Sequence, residues 1–276
     1  MKLSGKLVFG ALALTASFAT VARADDAPAN PWGTLSAYFA VQSDYRFRGL
    51  SKNDREPAEE ASLNWAGDWG LYAGTWLAKV NFYDGTSLED DVYVGKHTDL
   101  AGTDLNLEAY YYTYPDHAIN HDVDRMNGSP YHDSYFEAIG QLTHVFGPLT
   151  LTATGAWSPN FFAQTGEGWY VEGTAAFAVN EWLSFSGNVG HQWVSRLDGV
   201  SVDIGTEGAP DIVKSGFPYT HWDLGATVTY KSLALDVRYI DSSINETSCA
   251  LFVGKKDLCG ATVIGTLTYN ISSFPW

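Results

Sequence analysis

Long apolar runs are absent from most of this chain. Beyond residue 24 nothing approaches the roughly 18 uninterrupted apolar residues of a membrane-crossing helix, so nothing argues for a helical inner-membrane protein. Positive charge is also scarce, with 16 Lys and Arg against 32 Asp and Glu, which argues against nucleic acid or an anionic polymer as a partner. Only two cysteines occur, Cys249 and Cys259, with no C-x-x-C and no matching Cys/His pair to support a redox or metal centre. No Walker loop, dinucleotide fingerprint or zincin motif is present, and no cofactor is expected.

What is present has a direction. Lys2 and Lys6 precede an apolar stretch from Leu7 to Phe18, and Ala22-Arg23-Ala24 has the A-x-A form of a cleavage site. Residues 1–24 are therefore expected to be a cleaved secretory signal of the Sec type and 25–31 a polar mature tail. Residues 1–24 contain three basic side chains and no acidic one, so their removal takes the formal charge from −16 to −19.

From Trp32 onward the apolar positions recur at every second residue. Leu105, Leu107, Ala109 and Tyr111 alternate with polar or tyrosine positions, and Leu149, Leu151, Ala153, Gly155 and Trp157 are spaced the same way. A period of two over about ten residues is the mark of transmembrane β-strands. Composition agrees: aromatics are 14%, charged residues 17%, and there are 27 glycines, a balance that suits lipid-facing strands, interfacial aromatic belts and tight turns. A soluble β-sandwich is the competing all-β reading, but it would not produce short turns strictly alternating with long loops.

We read an all-β fold over 32–276, a transmembrane antiparallel up-and-down β-barrel of about 12 strands, with 10 or 14 as alternatives. The expected strands are 34–48, 59–65, 69–82, 89–99, 103–114, 134–146, 149–158, 169–179, 181–194, 218–230, 233–240 and 261–271. An even count returns both chain ends to the periplasm and puts the long loops outside. Cys249 and Cys259 share one loop, and in an oxidising compartment a disulfide there is expected. Trp65, Trp69, Trp182 and Tyr230 fall at the short-turn end and Trp157, Trp169 and Trp193 near the loop end, as two interfacial belts require. Trp276 has the form of the terminal aromatic signal read by the barrel assembly machinery, although Pro275 and the phase of Val263, Leu267, Tyr269 and Ile271 fit it poorly.

Alternation also sorts the charges. With Leu35, Phe39 and Val41 facing lipid, Asp44, Arg46 and Arg48 turn inward, and the same logic turns Glu60, Glu108, Glu137, Glu172, Asp223, Asp236 and Arg238 inward. The alternative is costly, about 2–4 kcal/mol for Arg or Lys on lipid near the midplane. These ten side chains are the expected pore lining, seven acidic and three basic. Twelve strands tilted about 40° enclose a backbone radius of roughly 12 Å, leaving room for small solutes. The competing reading is a braced interior of Arg–carboxylate pairs. The remaining acids, among them Glu89-Asp90-Asp91, Asp116, Asp122, Asp124, Asp133, Glu207 and Asp211, are read as solvated loop charge.

Ser43-Asp44-Tyr45-Arg46-Phe47-Arg48-Gly49-Leu50-Ser51, followed by Gly70-Leu71-Tyr72-Ala73-Gly74-Thr75-Trp76, resembles the TorF family of outer-membrane porins, also labelled Gcw_chp. The resemblance implies a Gram-negative outer-membrane barrel passing small hydrophilic solutes or ions, embedded among outer-membrane lipids and lipopolysaccharide. The acid excess adds a mild cation preference. A non-conducting adhesive or structural barrel is the main alternative. An outer-membrane hydrolase is a weaker one, resting on His221 and Asp223 two apart on one face; His191 turns to lipid and no serine nucleophile accompanies them. His117, His121, Asp122, Asp124 and His132 share a loop, but Pro115, Gly128 and Pro130 deny it the helix that would gather metal ligands. The loop 195–217 is the expected constriction, since Val200, Val202 and Ile204 alternate as if paired.

Overall fold

The computed structural model describes residues 33–82, 85–115, 133–162, 165–195 and 218–271. The expected signal and tail, the metal-loop histidines, nearly all of the expected constriction and Trp276 lie outside them. Twelve strands form a closed antiparallel barrel: β1 (Thr34–Gln42), β4 (Ala58–Ala66), β5 (Leu71–Lys79), β6 (Leu88–Leu100), β7 (Thr103–Thr113), β8 (Tyr135–Phe146), β9 (Leu149–Ser158), β10 (Gly168–Ala178), β11 (Leu183–Val194), β12 (Tyr219–Tyr230), β13 (Leu233–Ser242) and β14 (Thr262–Ile271). Two further short strands, β2 (Arg46–Phe47) and β3 (Leu50–Ser51), pair only with each other, and one helix, α1 (Glu246–Val253), sits between β13 and β14.

Neighbours in sequence are neighbours in the wall, and β1 closes the ring by pairing β4 on one side and β14 on the other. Closure leaves no edge with unpaired backbone groups, the condition for a sheet in lipid. The short connections after β4, β6, β8, β10 and β12 all fall at the end where β1 starts and β14 finishes. Left-handed residues make four of these five turns: Trp69 and Gly70, Ala101 and Gly102, Gly147, and Lys231 all have positive φ.

The period of two is realised as an outward apolar surface. Phe39, Val41, Val92, Val94, Leu107, Leu142, Val189, Leu224 and Leu267 are exposed, while their strand neighbours are buried in the interior. Trp69 is 83% exposed at the short-turn end, together with Trp182 and Tyr230, and Trp169 and Trp193 stand out at the other end. This is the arrangement expected of a membrane-embedded barrel with aromatics at both interfaces.

One boundary differs in a way that matters. The first strand was expected to continue to Arg48, but the wall strand stops at Gln42. Within residues 43–57 the stretch 44–53 then turns into the barrel instead of prolonging its rim, while 55–57 return to the surface. Tyr45 and Phe47, which simple alternation would place on lipid, are buried, as are Asp44, Arg46 and Arg48 on the opposite face. A segment buried on both faces cannot be wall, because one face of a wall strand meets lipid.

Candidate functional site in the barrel lumen

The inserted segment is a tight hairpin. Arg46 pairs with Ser51 and Phe47 with Leu50, leaving Arg48 and Gly49 as a two-residue turn with φ of 49° and 86°. Positive φ at both central residues is the form whose twist matches paired strands. Gly49 is required there twice over, because a Cβ would lie 2.7 Å from the Cβ of His221 on β12. At its base Asp44 accepts from Arg46 Nε at 2.7 Å and from Ser51 Oγ at 2.6 Å.

The tip crosses the lumen. Arg48 Nη1 and Nη2 donate to the two carboxylate oxygens of Glu137 on β8 at 2.9 and 2.7 Å. Nη1 also donates to Gln192 Oε1 on β11 at 2.6 Å, and the guanidinium carbon stands 3.9 Å from the centre of the Tyr170 ring on β10. Fork-on-fork geometry of this kind is the strong form of a charged pair. The barrel order places β8 across the ring from β1, so the hairpin bridges the interior and is not folded against its own wall.

Further down the hairpin, Lys52 directs its ammonium into aromatic side chains, 4.1 Å from the Phe162 ring centre, 4.8 Å from Phe82, and 5.7 Å from both Phe47 and Tyr114. Cations are drawn to ring faces by the ring quadrupole, more strongly when water is excluded. Burial pushes the Lys52 ammonium below its ordinary pKa, against the opposing pull of Glu89, Asp133 and Asp91.

A second layer fastens the hairpin from outside. Cys249 and Cys259 are joined, confirming the expected disulfide. The loop it closes touches the hairpin repeatedly: Ser51 N donates to Leu258 O at 2.9 Å, Arg46 Nη1 to Gly260 O at 3.0 Å, Arg55 Nη1 to Asp257 O at 3.2 Å, and Lys255 Nζ to Asp54 Oδ2 at 2.5 Å.

The wall divides chemically. Strands β5–β8 carry tyrosines interleaved with carboxylates: Tyr93 stacks on Tyr110 at 5.2 Å and Tyr112 on Tyr135 at 4.2 Å, with Tyr110 and Tyr112 4.4 Å apart. Their hydroxyls serve the acids. Tyr110 donates to Asp91, Tyr112 to Glu137, Tyr114 to Glu89, and Tyr72 to Glu108 at 2.6 Å. Glycines make room for the rings; Tyr72 lies over its cross-strand partner Gly95, where a Cβ would come within 2.3 Å of it, and Tyr93 lies likewise over Gly74. On the other side, Arg238 holds Asp223 and, at 3.0 Å, Asp236, while Asn188 donates to Asp223 and Thr227 to Asp236.

All ten expected lining residues point into the interior, but not as one lining. Asp44, Arg46 and Arg48 belong to the hairpin; Arg48 joins Glu137, Arg238 joins Asp223 and Asp236, Glu60 is met by Gln42, and Glu108 and Glu172 are met by tyrosines. His221 and Asp223 do not pair: His221 Nε2 lies 2.9 Å from the Tyr170 hydroxyl, which donates to Glu172 at 2.6 Å. Glu89, Asp91 and Asp133, read from the sequence as exterior loop charge, are buried inside. For the first two the signal was available, since Val92 and Val94 facing lipid oblige Asp91 and Glu89 to face inward.

The model of a bacterial protein family of unknown function (Gcw_chp) matches residues 25–270. The chain belongs to the Gcw_chp family. No curated protein matches it. Among solved structures, this Gcw_chp barrel is similar to a KdgM porin in complex with disordered oligogalacturonate, at TM-score 0.50 and 8% identity over 87% of this chain and 99% of that one. It is also similar to the NanC porin at 0.47 and 10% identity, over 88% and 100% of the chains. A third is OprD of Pseudomonas aeruginosa, at 0.39 and 9% identity, over 78% and 59%. At such identities the likeness is one of fold.

Proposed function

We propose that the protein is a porin-like channel of the Gram-negative outer membrane, of the TorF type, for passive passage of small hydrophilic solutes or ions. The observation that carries this is a closed barrel, apolar outside, with an interior given over to charged and hydrogen-bonding side chains. In this reading residues 1–24 direct export and are removed, the assembly machinery inserts the barrel, and lipid and lipopolysaccharide surround it. In this reading the hairpin 43–57 is a constriction; the expected constriction 195–217 lies almost wholly outside the described residues.

Among the described residues the interior holds ten carboxylates (Asp44, Glu60, Glu89, Asp91, Glu108, Asp133, Glu137, Glu172, Asp223 and Asp236) and four cationic side chains (Arg46, Arg48, Lys52 and Arg238). That excess supports a mild cation preference. Purified barrel in planar bilayers under a salt gradient tests both parts. Ion conductance with a cation-selective reversal potential is expected; folded, heat-modifiable protein without conductance would sink the channel, and an anion-selective potential would overturn the preference.

One observation favours the second reading, a non-conducting barrel: Arg46 and Glu137 are at most 1% exposed, so the resting lumen is filled at the height of the hairpin. The channel reading therefore requires the hairpin to move. We read no enzymatic role into His221, whose partner is a tyrosine and not Asp223.

A further inference from the structure

The barrel wall forms a receptor for the guanidinium of the protein's own Arg48. The receptor is built without help from the hairpin. Gln192 Nε2 donates to the backbone carbonyls of Trp169 and Trp193, both at 3.1 Å, which turns its Oε1 into the lumen. Tyr112 on β7 donates to Glu137 Oε2 at 3.1 Å. The Tyr170 ring is held flat through Glu172 and His221, over Gly190, where a Cβ would fall 2.6 Å from its hydroxyl. A carboxylate fork, a third acceptor and a ring face thus converge from β8, β11 and β10 on one planar cation. Each group also has a partner in the wall itself, which is the mark of a preorganised site.

Arg48 fills this site imperfectly. Its Nε is buried with no hydrogen-bond partner, and it reaches the receptor only from a left-handed backbone at φ 49°. A non-glycine residue there and an unpaired buried donor both cost free energy. A free guanidinium has neither constraint and can turn to suit all the acceptors. The hairpin is tethered, which gives Arg48 the advantage of proximity, but the contacts it makes are ones a solute can reproduce.

We propose that this receptor binds guanidinium-bearing solutes in competition with Arg48, and that such solutes displace the hairpin tip as they enter. As a statement of solute class this rests on the channel reading; as a binding site it does not. The test is binding of methylguanidinium to the full barrel in detergent, followed by ligand-observed NMR and by the shift in thermal unfolding. Arg48→Ala, which empties the site, is expected to bind at least about tenfold more tightly than the wild type, where Arg48 competes, and than Arg48→Ala with Glu137→Gln. Urea, neutral and of the same shape, and methylammonium, charged but without the fork, are expected to bind the emptied site at least about tenfold more weakly. Should Arg48→Ala not fold, Arg48→Gln serves as the emptied variant, folding being scored by heat-modifiable migration. Binding that ignores Glu137→Gln, or no binding to an emptied folded barrel, overturns the site, and equal binding of methylammonium overturns the assignment to guanidinium. Binding without any bilayer current would instead retain the site and refute the channel.

Discussion

Arg48→Ala is the perturbation that most directly separates a movable constriction from a permanent plug. Arg48 and Glu137 are 3% and 2% exposed as side chains, so the pair is a buried one. Removing one partner of such a pair costs about 3–5 kcal/mol, because the other charge is left uncompensated. The base of the hairpin keeps its own fastenings, the Asp44–Arg46 pair and the Ser51 and Arg46 bonds to the disulfide loop, so the loss falls on the tip. If the tip exchanges between docked and released states, that free energy multiplies the released population by about 100- to 4,000-fold. Single-channel recording in planar bilayers reads this as open probability. Arg48→Lys keeps a charge but loses the fork and is expected to fall between the two. Arg48→Gly loses the pair but relieves the left-handed backbone, so its hairpin is expected to be firmer than that of Arg48→Ala by about 1 kcal/mol. Combining Arg48→Ala with Glu137→Ala removes both charges, and the deficit is expected to be smaller than the sum of the two single changes. A wild-type current trace from Arg48→Ala, with no change in open probability or unit conductance, would refute the docking of the tip as the gate.

Three other outcomes follow from separate parts of the molecule. Replacing Cys249 and Cys259 together by serine releases a loop closed over a sequence separation of 10. Loop-closure entropy puts the stability loss at roughly 2.7 kcal/mol, read by urea unfolding of the barrel, and noisier currents should accompany it because Leu258 and Gly260 hold the hairpin base. Gly95→Ala places a methyl 2.3 Å from the Tyr72 ring and should lower barrel stability by about 1–3 kcal/mol in the same assay, whereas Gly173→Ala, with open space around it, should change little. Arg238→Met leaves Asp223 and Asp236 facing each other and should cost about 3–5 kcal/mol, with a good part recovered when both aspartates are also made asparagine.

The barrel itself was readable because its physics repeats. Each wall strand has to present apolar side chains to lipid at every second position, and that demand writes the same pattern twelve times, which is why the expected span 149–158 is β9 to the residue and most other ends agree within two. The hairpin was not readable by the same rule. Asp44, Arg46 and Arg48 alternate with Tyr45 and Phe47, as a wall strand with an aromatic rim would, and periodicity cannot distinguish lipid on one face from lumen on both. Length gives only a weak signal: the expected strand 34–48 is the longest of the twelve at 15 residues, against the roughly 9–11 that cross a bilayer, but the wall strand β6 itself runs to 13. The pairings across the lumen were beyond local reasoning, since Arg48 and Glu137 are 89 residues apart and meet only because the ring closes.

The two halves of the wall answer differently to the cost of enclosing acid. Where Arg238 serves Asp223 and Asp236, charge cancels charge, and the group is braced in place. Across the lumen Asp91, Glu108 and Glu89 are met mainly by tyrosine hydroxyls, which hydrogen-bond a carboxylate without neutralising it, and one oxygen each of Glu89 and Glu108 has no partner. Hydrogen bonding alone leaves the local potential negative. The cations that relieve it, Arg48 and Lys52, come from the hairpin and not from the wall. The acids of this half of the wall thus depend on cations that the hairpin inserts, and on the proposed displacement a cationic solute takes their place. On the channel reading, constriction and the proposed cation preference then rest on a single element: the segment that narrows the lumen is the one that supplies the cations facing these acids.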